Sequence, residues 1–255
     1  MRLRFHCPIL PDEHILSWLT RIHFLLGYST INCTLRALKI KKGVFRNYQY
    51  NHTIRDAINF YRSEVVDDTS CFDFHTTFPL WALKNEIEYY SNWREQNSAL
   101  IETGFLKGRL SCGMKWKYCP ACLESDENEH GHTIWSVKHQ LPSVTHCITH
   151  KVPLIGRNVY TNDLMGSTLP APIGADDEKI DDHKELYEWS KFINDIYEVI
   201  RSDPIIGSKL TKEVRDILSI PENLQMNSNK NLNFLRELHR EYESDMPVAI
   251  NRHLF

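Results

Sequence analysis

Apolar residues recur with a helical period along much of this chain. After Pro8 and Pro11, the residues Ile15, Trp18, Leu19, Ile22 and Leu25 or Leu26 follow i, i+3, i+4, i+7 spacing, which predicts a helix over 12–26. Asp12 and Glu13 suit the positive end of its dipole, and Gly27 stops it. Ser29 or Thr30 can cap a second helix, from 31 to about 39, that buries Ile31, Thr34, Leu35 and Leu38 and turns Asn32, Arg36 and Lys39 outward. A third helix at 53–62, burying Ile54, Ala57, Ile58 and Tyr61, completes a three-helix packing unit. Helix, short Gly-containing turn and helix is the arrangement of a helix-turn-helix.

Residues 63–80 read as a loop in which Cys71 and His75 are structural. A helix is predicted over 81–101, with Leu83, Ile87, Tyr90 and Leu100 along one side, before Gly104, Gly108 and Gly113 break the chain. Leu110, Met114, Trp116 and Tyr118 then alternate as a short strand. Pro153 and Gly156 end the central module, and 158–180 mixes Gly, Pro, Ser, Asn and Asp as a linker or extended loop. Leu186, Trp189, Ile193, Ile196 and Ile200 line one face of a helix at 181–200, and shorter helices are predicted at 211–218 and 231–243. The final residues, MPVAINRHLF, are apolar and uncapped, and either dock on the core or mark the truncation of a longer chain.

Between 118 and 154 lie two knuckles, Cys119-Pro-Ala-Cys122 and Cys147-Ile-Thr-His150, separated by 24 residues. Ligand-type residues three apart at a tight turn converge on one ion, and a Cys3His set suits a tetrahedral zinc ion. The competing reading is a Cys-x-x-Cys redox pair with Cys147 as a small buried residue, but such a motif belongs beside a βαβ pattern, which is lacking here. His130, His132, His139 and His146 compete for the histidine place, and His150 is preferred because its spacing from Cys147 repeats the first knuckle. Four protein ligands close the site to a catalytic water, so the zinc is expected to be structural.

The expected fold class is therefore mainly α with a small zinc-binding β/loop module: an N-terminal helix-turn-helix, a central Cys3His zinc finger and C-terminal helices. The expected division is 1–110 for the helical domain, 111–157 for the zinc module, 158–184 for the linker and 185–255 for the C-terminal helices.

With 42% hydrophobic and 25% charged residues, the composition is that of an ordinary globular protein. Seven cysteines, an odd number with three of them committed to the knuckles, argue against a disulfide framework and for a reducing, cytoplasmic setting. No apolar run is long enough to span a bilayer or serve as a signal peptide. The net charge of −3 conceals an asymmetry, since residues 1–60 carry +6 while 61–170 and 171–255 carry −3 and −6. A basic head on an acidic body places any nucleic-acid contact at the head. Ser29, Thr30, Asn32, Arg36, Lys39, Lys41, Lys42 and Arg46 form the candidate DNA-contacting set, with Asn and Arg able to read bases and the lysines able to hold phosphates.

The segments ILPDEHILSWLTRI, HTTFPL at 75–80, KYCPACL at 117–123 and IWSVKHQLPSVTHCITHKVPL at 134–154 resemble, in this order, the TniQ/TnsD family of transposition target-selection proteins. The resemblance covers roughly residues 8–156. It implies a non-enzymatic adaptor of a bacterial transposon, including those tied to CRISPR guide complexes. Such an adaptor marks the insertion site by binding DNA or docking on a guide-RNA effector, and recruits an AAA+ ATPase that engages the transposase. It carries zinc ligation onto Cys119, Cys122, Cys147 and His150, and the family's helix-turn-helix onto 12–39; self-association is left open. Longer members carry further C-terminal DNA-binding or zinc segments, whereas no cysteine follows Cys147 here and the C-terminal third is acidic, which favours a guided or partner-dependent mode. The alternative reading is a zinc-containing helix-turn-helix transcriptional regulator. An enzyme is disfavoured, because HExxH, GxSxG and P-loop motifs are all lacking.

Overall fold

The computed structural model describes residues 7–41, 52–64, 71–79, 116–141, 143–157, 169–170, 177–179 and 184–203, with single positions at 206, 209 and 213. The helix expected at 81–101, Lys42 and Arg46, and the helices expected at 211–218 (Glu213 apart) and 231–243 lie outside the described residues.

Helix α1 spans Ile15–Leu26, and every residue from Ile15 to His23 is buried. A helix covered on all sides through two turns is a central strut. Its apolar side chains Ile15, Leu16, Trp18, Leu19 and Ile22 are wholly enclosed, each worth roughly 1.5–3 kcal/mol of transfer free energy. The cap is His14, whose Nδ1 accepts the Leu16 amide at 3.1 Å, and Gly27 ends the helix in the left-handed conformation at φ 65°. Leu25, expected as an alternative to Leu26 on the inner face, is 67% exposed, while Leu26 is half-buried against the core.

The expected place of Asp12 and Glu13 in the first turn is corrected, since both precede the helix. Asp12 takes a left-handed φ of 55°, and Glu13 is fully buried with its backbone bridged to Ser136. The Glu13 carboxylate instead meets the Arg21 guanidinium, one α-helical stretch along, with Nε to Oε1 at 2.9 Å, and also accepts the Leu10 amide at 3.0 Å. Arg21 spends a further donor on the Pro8 carbonyl at 2.8 Å. Such a bidentate, multiply bonded pair satisfies charges that desolvation would otherwise make prohibitive.

Helix α2, Ile31–Ala37, is capped by Thr30, which accepts the Cys33 amide. Ile31, Thr34, Leu35 and Leu38 are buried and Asn32, Arg36 and Lys39 exposed, as the periodicity predicts. It stops before Lys39, which sits at φ 59° so that the Ile40 amide can reach the Leu35 carbonyl at 2.8 Å, with Ile40 folded back on the core. Helix α3, His52–Glu64, packs on α1 through Ile54, Ala57, Ile58 and Tyr61, with Tyr61 edge-on to Trp18 at 5.1 Å. The stretch expected as loop holds a one-turn helix, α4, Cys71–Phe74. There Cys71 is buried and the His75 ring Nδ1 lies 2.8 Å from the Glu13 carbonyl, the structural roles expected of both.

A three-stranded antiparallel sheet of order β1-β2-β3 joins Trp116–Tyr118, Ile155–Arg157 and Asp177–Lys179. The register pairs Trp116 with Arg157 and Ile155 with Lys179. Two expectations are corrected here. Gly156 continues a strand instead of ending the module, and the stretch expected as linker supplies β3. Its anchor is Asp177, which takes a bidentate bond from Arg157 (2.8 Å from both Nε and Nη2) and the Tyr118 hydroxyl at 2.8 Å. Burial and that carboxylate push the Tyr118 phenol up to about 12.

Between β1 and β2 come α5, Pro120–His130, and α6, Val137–Gln140; after β3 comes α7, Lys184–Ser202. The face of α7 turned to the core is rotated from the expected one. Trp189, Ile193 and Ile196 are only half-buried, while Leu186, Ser190, Asn194, Tyr197 and Ile200 are buried. Polar needs decide the rotation, because the Tyr197 hydroxyl donates to the carbonyl of Thr76 at 2.7 Å and Ser190 serves the turn at 145–146. At the other end Arg201 bonds Asp12 Oδ1 at 2.9 Å, and Lys138 joins Asp12 at 2.7 Å to Glu198 at 3.0 Å. Among the described residues no helix is long and apolar enough to cross a membrane.

Arg21→Met strands a buried carboxylate and is expected to cost about 3–5 kcal/mol in urea unfolding at neutral pH, while adding Glu13→Leu should restore part of it. At Asp12, burial alone would raise the carboxyl, but Lys138 and Arg201 together hold it below the ordinary value of 3.8. Its contribution is therefore complete above that value and fades as the pH falls through the lowered one. Asp12→Asn should flatten the acid limb of the stability–pH curve, leaving the slope above about pH 5 unchanged.

Candidate metal centre

Cys119 leaves β1 in extended conformation and forms the N-cap position of α5, with Pro120 at the first helical position, where its missing N–H is no loss. Cys122 then sits in the first turn, so both sulfurs lie at the positive end of the α5 dipole, which favours thiolate. The second pair is held by a tight turn. The Cys147 amide donates to Val152 at 2.9 Å, Lys151 returns a bond to the Cys147 carbonyl at 2.8 Å from a left-handed φ of 56°, and the His150 amide approaches Cys147 Sγ at 3.5 Å.

These two turns bring one donor atom each from Cys119, Cys122, Cys147 and His150 within 4.8 Å of one another. A tetrahedral ion with bonds of about 2.3 Å to sulfur and 2.0–2.1 Å to nitrogen requires sulfurs about 3.8 Å apart and sulfur–nitrogen distances of about 3.5 Å. The Cys122 and Cys147 sulfurs are 3.7 Å apart, and His150 Nδ1 lies 3.6, 3.3 and 3.6 Å from Cys119, Cys122 and Cys147. These four separations match that tetrahedron to within a few tenths of an ångström, and the four donors can hold a metal ion. Their electrostatics agree. Cys147 is driven below the ordinary thiol range by hydrogen bonds from Cys119 and Cys122, and Cys122 well above it by those to Cys119 and Cys147. One thiolate is readily accommodated, but three together need a cation.

The competing histidines are placed elsewhere. His130 and His132 stack on each other at 6.2 Å, with His132 also 3.4 Å from Arg21, and His146 bonds Thr145 and lies edge-on to Tyr187. His139 comes closest, its Nε2 3.9 Å from Cys122 Sγ, which suits an N–H donor to a ligating sulfur and not a fifth ligand.

Sequence reasoning missed the groups that hold the two turns in place. The Gln140 amide clasps β1 along its free edge, accepting from the Lys117 amide at 2.9 Å and donating to its carbonyl at 2.7 Å. Lys117 reaches the Leu141 and Val144 carbonyls at 2.9 and 2.6 Å. Ser190 Oγ of α7 accepts the amides of Thr145 at 3.0 Å and His146 at 3.1 Å. Beneath lies a small apolar core of Val137, Leu141, Val144, Leu154 and Tyr197. Lys117 and Gln140 fell within the segments that carry the family resemblance without a role assigned, and a lone serine on an amphipathic helix carries no signal.

Of the residues expected to meet DNA, Ser29, Thr30, Asn32, Arg36, Lys39 and Lys41 are exposed along and just beyond α2, though Thr30 has a capping role and the Lys41 amide bonds Asp56 at 2.9 Å.

A family model for the TniQ domain matches residues 4–154, which takes in α1 to α4, β1 and both metal-binding turns, and the chain belongs to the TniQ family. Membership places it among transposition-associated proteins. Among curated proteins no sequence matches the chain.

Cys119→Ser and His150→Ala are expected to drop bound metal well below one equivalent and to loosen the surroundings of Trp116 and Trp135, whereas His139→Ala should retain the metal. Elemental analysis with tryptophan fluorescence checks both halves, and metal loss from the His139 variant would reassign the fourth ligand.

Proposed function

We propose that this chain is a non-catalytic target-selection adaptor of a bacterial transposon, of the kind that binds DNA or a guide-RNA effector complex and recruits an AAA+ ATPase regulator. The observation that carries the reading is the TniQ match over 4–154, which spans α1, the exposed basic residues on and just after α2, and the Cys3His cluster together. The metal is zinc, since three soft thiolates and one imidazole at tetrahedral spacing favour it over harder ions. With four protein ligands it is structural, and its binding free energy is folding free energy for the segment around it.

On this reading α1 and α2 form the helix-turn-helix, with Asn32 and Arg36 facing bases and Ser29, Thr30, Lys39, Lys41, Lys42 and Arg46 facing backbone. The chain divides into a helical head over 1–110, a zinc module over 111–157, a connection over 158–184 that lends β3 to that module, and C-terminal helices over 185–255. The acidic later segments offer faces to a basic partner, and the setting is the bacterial cytoplasm.

The test is binding to random duplex DNA across a salt series. Affinity should fall steeply with salt, and Arg36→Ala or Lys39→Ala should each reduce the log–log slope by about 1. Unchanged affinity in both variants would remove DNA from α2 and leave that surface to a protein or ribonucleoprotein partner, to be sought by co-purification with the ATPase and effector.

A further inference from the structure

A cavity of about 190 Å³ opens onto the cluster itself, lined by Cys119, Cys122 and Cys147 together with α5, the stretch at 134–139, the turn at 146–149 and Asn194 of α7, so that a bound ion takes one end of it. That is far above the roughly 10–15 Å³ that one water needs. Asn194 is 1% exposed, and its Nδ2 donates to the Ser190 carbonyl at 2.9 Å, which settles the orientation of the amide. Its Oδ1 is buried with no hydrogen-bond partner. Buried acceptors of this kind are rare in folded proteins and point to a donor that completes them.

A second group in the wall has the same need. Asp126 accepts one long bond, from the Ile134 amide at 3.4 Å, and forms no ion pair among the described residues. Lys138 also lines the cavity, but its ammonium is committed to Asp12 at 2.7 Å and Glu198 at 3.0 Å. Three thiolates and a neutral imidazole on a divalent ion leave a further unit of negative charge in the wall, a contribution that rests on the zinc reading above. Leu123, Ile134 and Ile148 supply an apolar remainder.

We infer that this cavity is a binding site for an alkylammonium group, its N–H donors answering Asn194 Oδ1, its charge answering Asp126 and the thiolate centre, and its stem lying on the apolar wall. The shared chemistry fits a free primary amine or a lysine side chain of a partner. Tetramethylammonium has the charge and no N–H donor, so it separates recognition from a general salt effect.

The experiment is calorimetric titration and thermal unfolding of the full metal-loaded chain with butylammonium chloride, tetramethylammonium chloride and a short lysine-containing peptide. Butylammonium should bind saturably and raise Tm while tetramethylammonium does neither. Asn194→Leu and Asp126→Asn should each weaken binding about tenfold or more, the worth of a hydrogen bond to a charged group. Asn194→Asp, which places a carboxylate in the same space, should strengthen it, a result that mere loss of packing would not produce. A response to the peptide identifies a protein lysine as the source, and a response to butylammonium alone identifies a free amine. No binding, equal binding of both cations, or unchanged binding in all three variants would overturn the site and leave the cavity to water. Metal content is assayed on the same samples: a metal-loaded protein that ignores the amine sinks this inference alone, and a metal-free protein sinks the zinc reading alone.

Discussion

A carboxylate with no exposure, Glu13, sets the terms for the rest of the molecule. Its charge is tolerable only because Arg21 meets it at 2.9 Å and the Leu10 amide fills another lone pair. Meeting that condition fixes the short run from Leu10 to His14 as a turn, closed by the Glu13 amide on the Leu10 carbonyl at 3.0 Å with Asp12 left-handed, before the helix starts at Ile15. The backbone groups left over are then taken up by distant partners. The Asp12 carbonyl accepts the Val137 amide at 2.7 Å, the His14 amide donates to Trp135 at 2.8 Å, and Ile15 donates to His75 at 2.9 Å. The first helix, the short helix at Cys71–Phe74 and the approach to the metal-binding turns are thus tied at one point.

The metal centre depends on this arrangement from the other side. Tyr118 and Cys119 are adjacent in sequence but belong to different cores, the tyrosine to the one shared with the first three helices and the cysteine to the small one under the turns. Trp116 and Trp135 meet at 5.2 Å within the first of these cores, next to that boundary. Holding three sulfurs and an imidazole together therefore also holds the tryptophan seam against which the N-terminal helices pack. The last described helix closes the arrangement, with Ser190 under the turn, Tyr197 on the 73–76 segment and Arg201 on Asp12.

Much of this was legible in the residues. The helical period located α1, α2 and α3 and sorted α2 correctly into inward Leu35 and outward Arg36, because apolar burial dominates there. The four donors were legible for a different reason, since ligand chemistry demands particular residue types at a particular spacing. Where one residue type serves two ends, reading failed. Asp12 and Glu13 look like partners of a helix dipole, yet they are partners of specific cations whose positions in space the sequence does not reveal. The same blindness covers α7, where the innermost line runs through Ser190 because backbone amides of another segment needed an acceptor. Asp177 in a glycine- and proline-rich stretch gave no sign that Arg157 would draw it into a strand.

The long reach of these ties has a consequence for how the protein is made. Trp135 bonds Ser17 across 118 positions, and Arg201 bonds Asp12 across 189. A ribosome adds about 5–20 residues per second, so the N-terminal helices wait on the order of 10–40 s before Arg201 exists to close on them. Over that interval Asp12 lacks its Arg201 partner, and for the earlier part of it, until Trp135 is made, the Ser17 hydroxyl lacks the Trp135 amide. A chain built this way relies on its slowest, most distant contacts to finish its earliest element, which makes translation itself part of the folding mechanism.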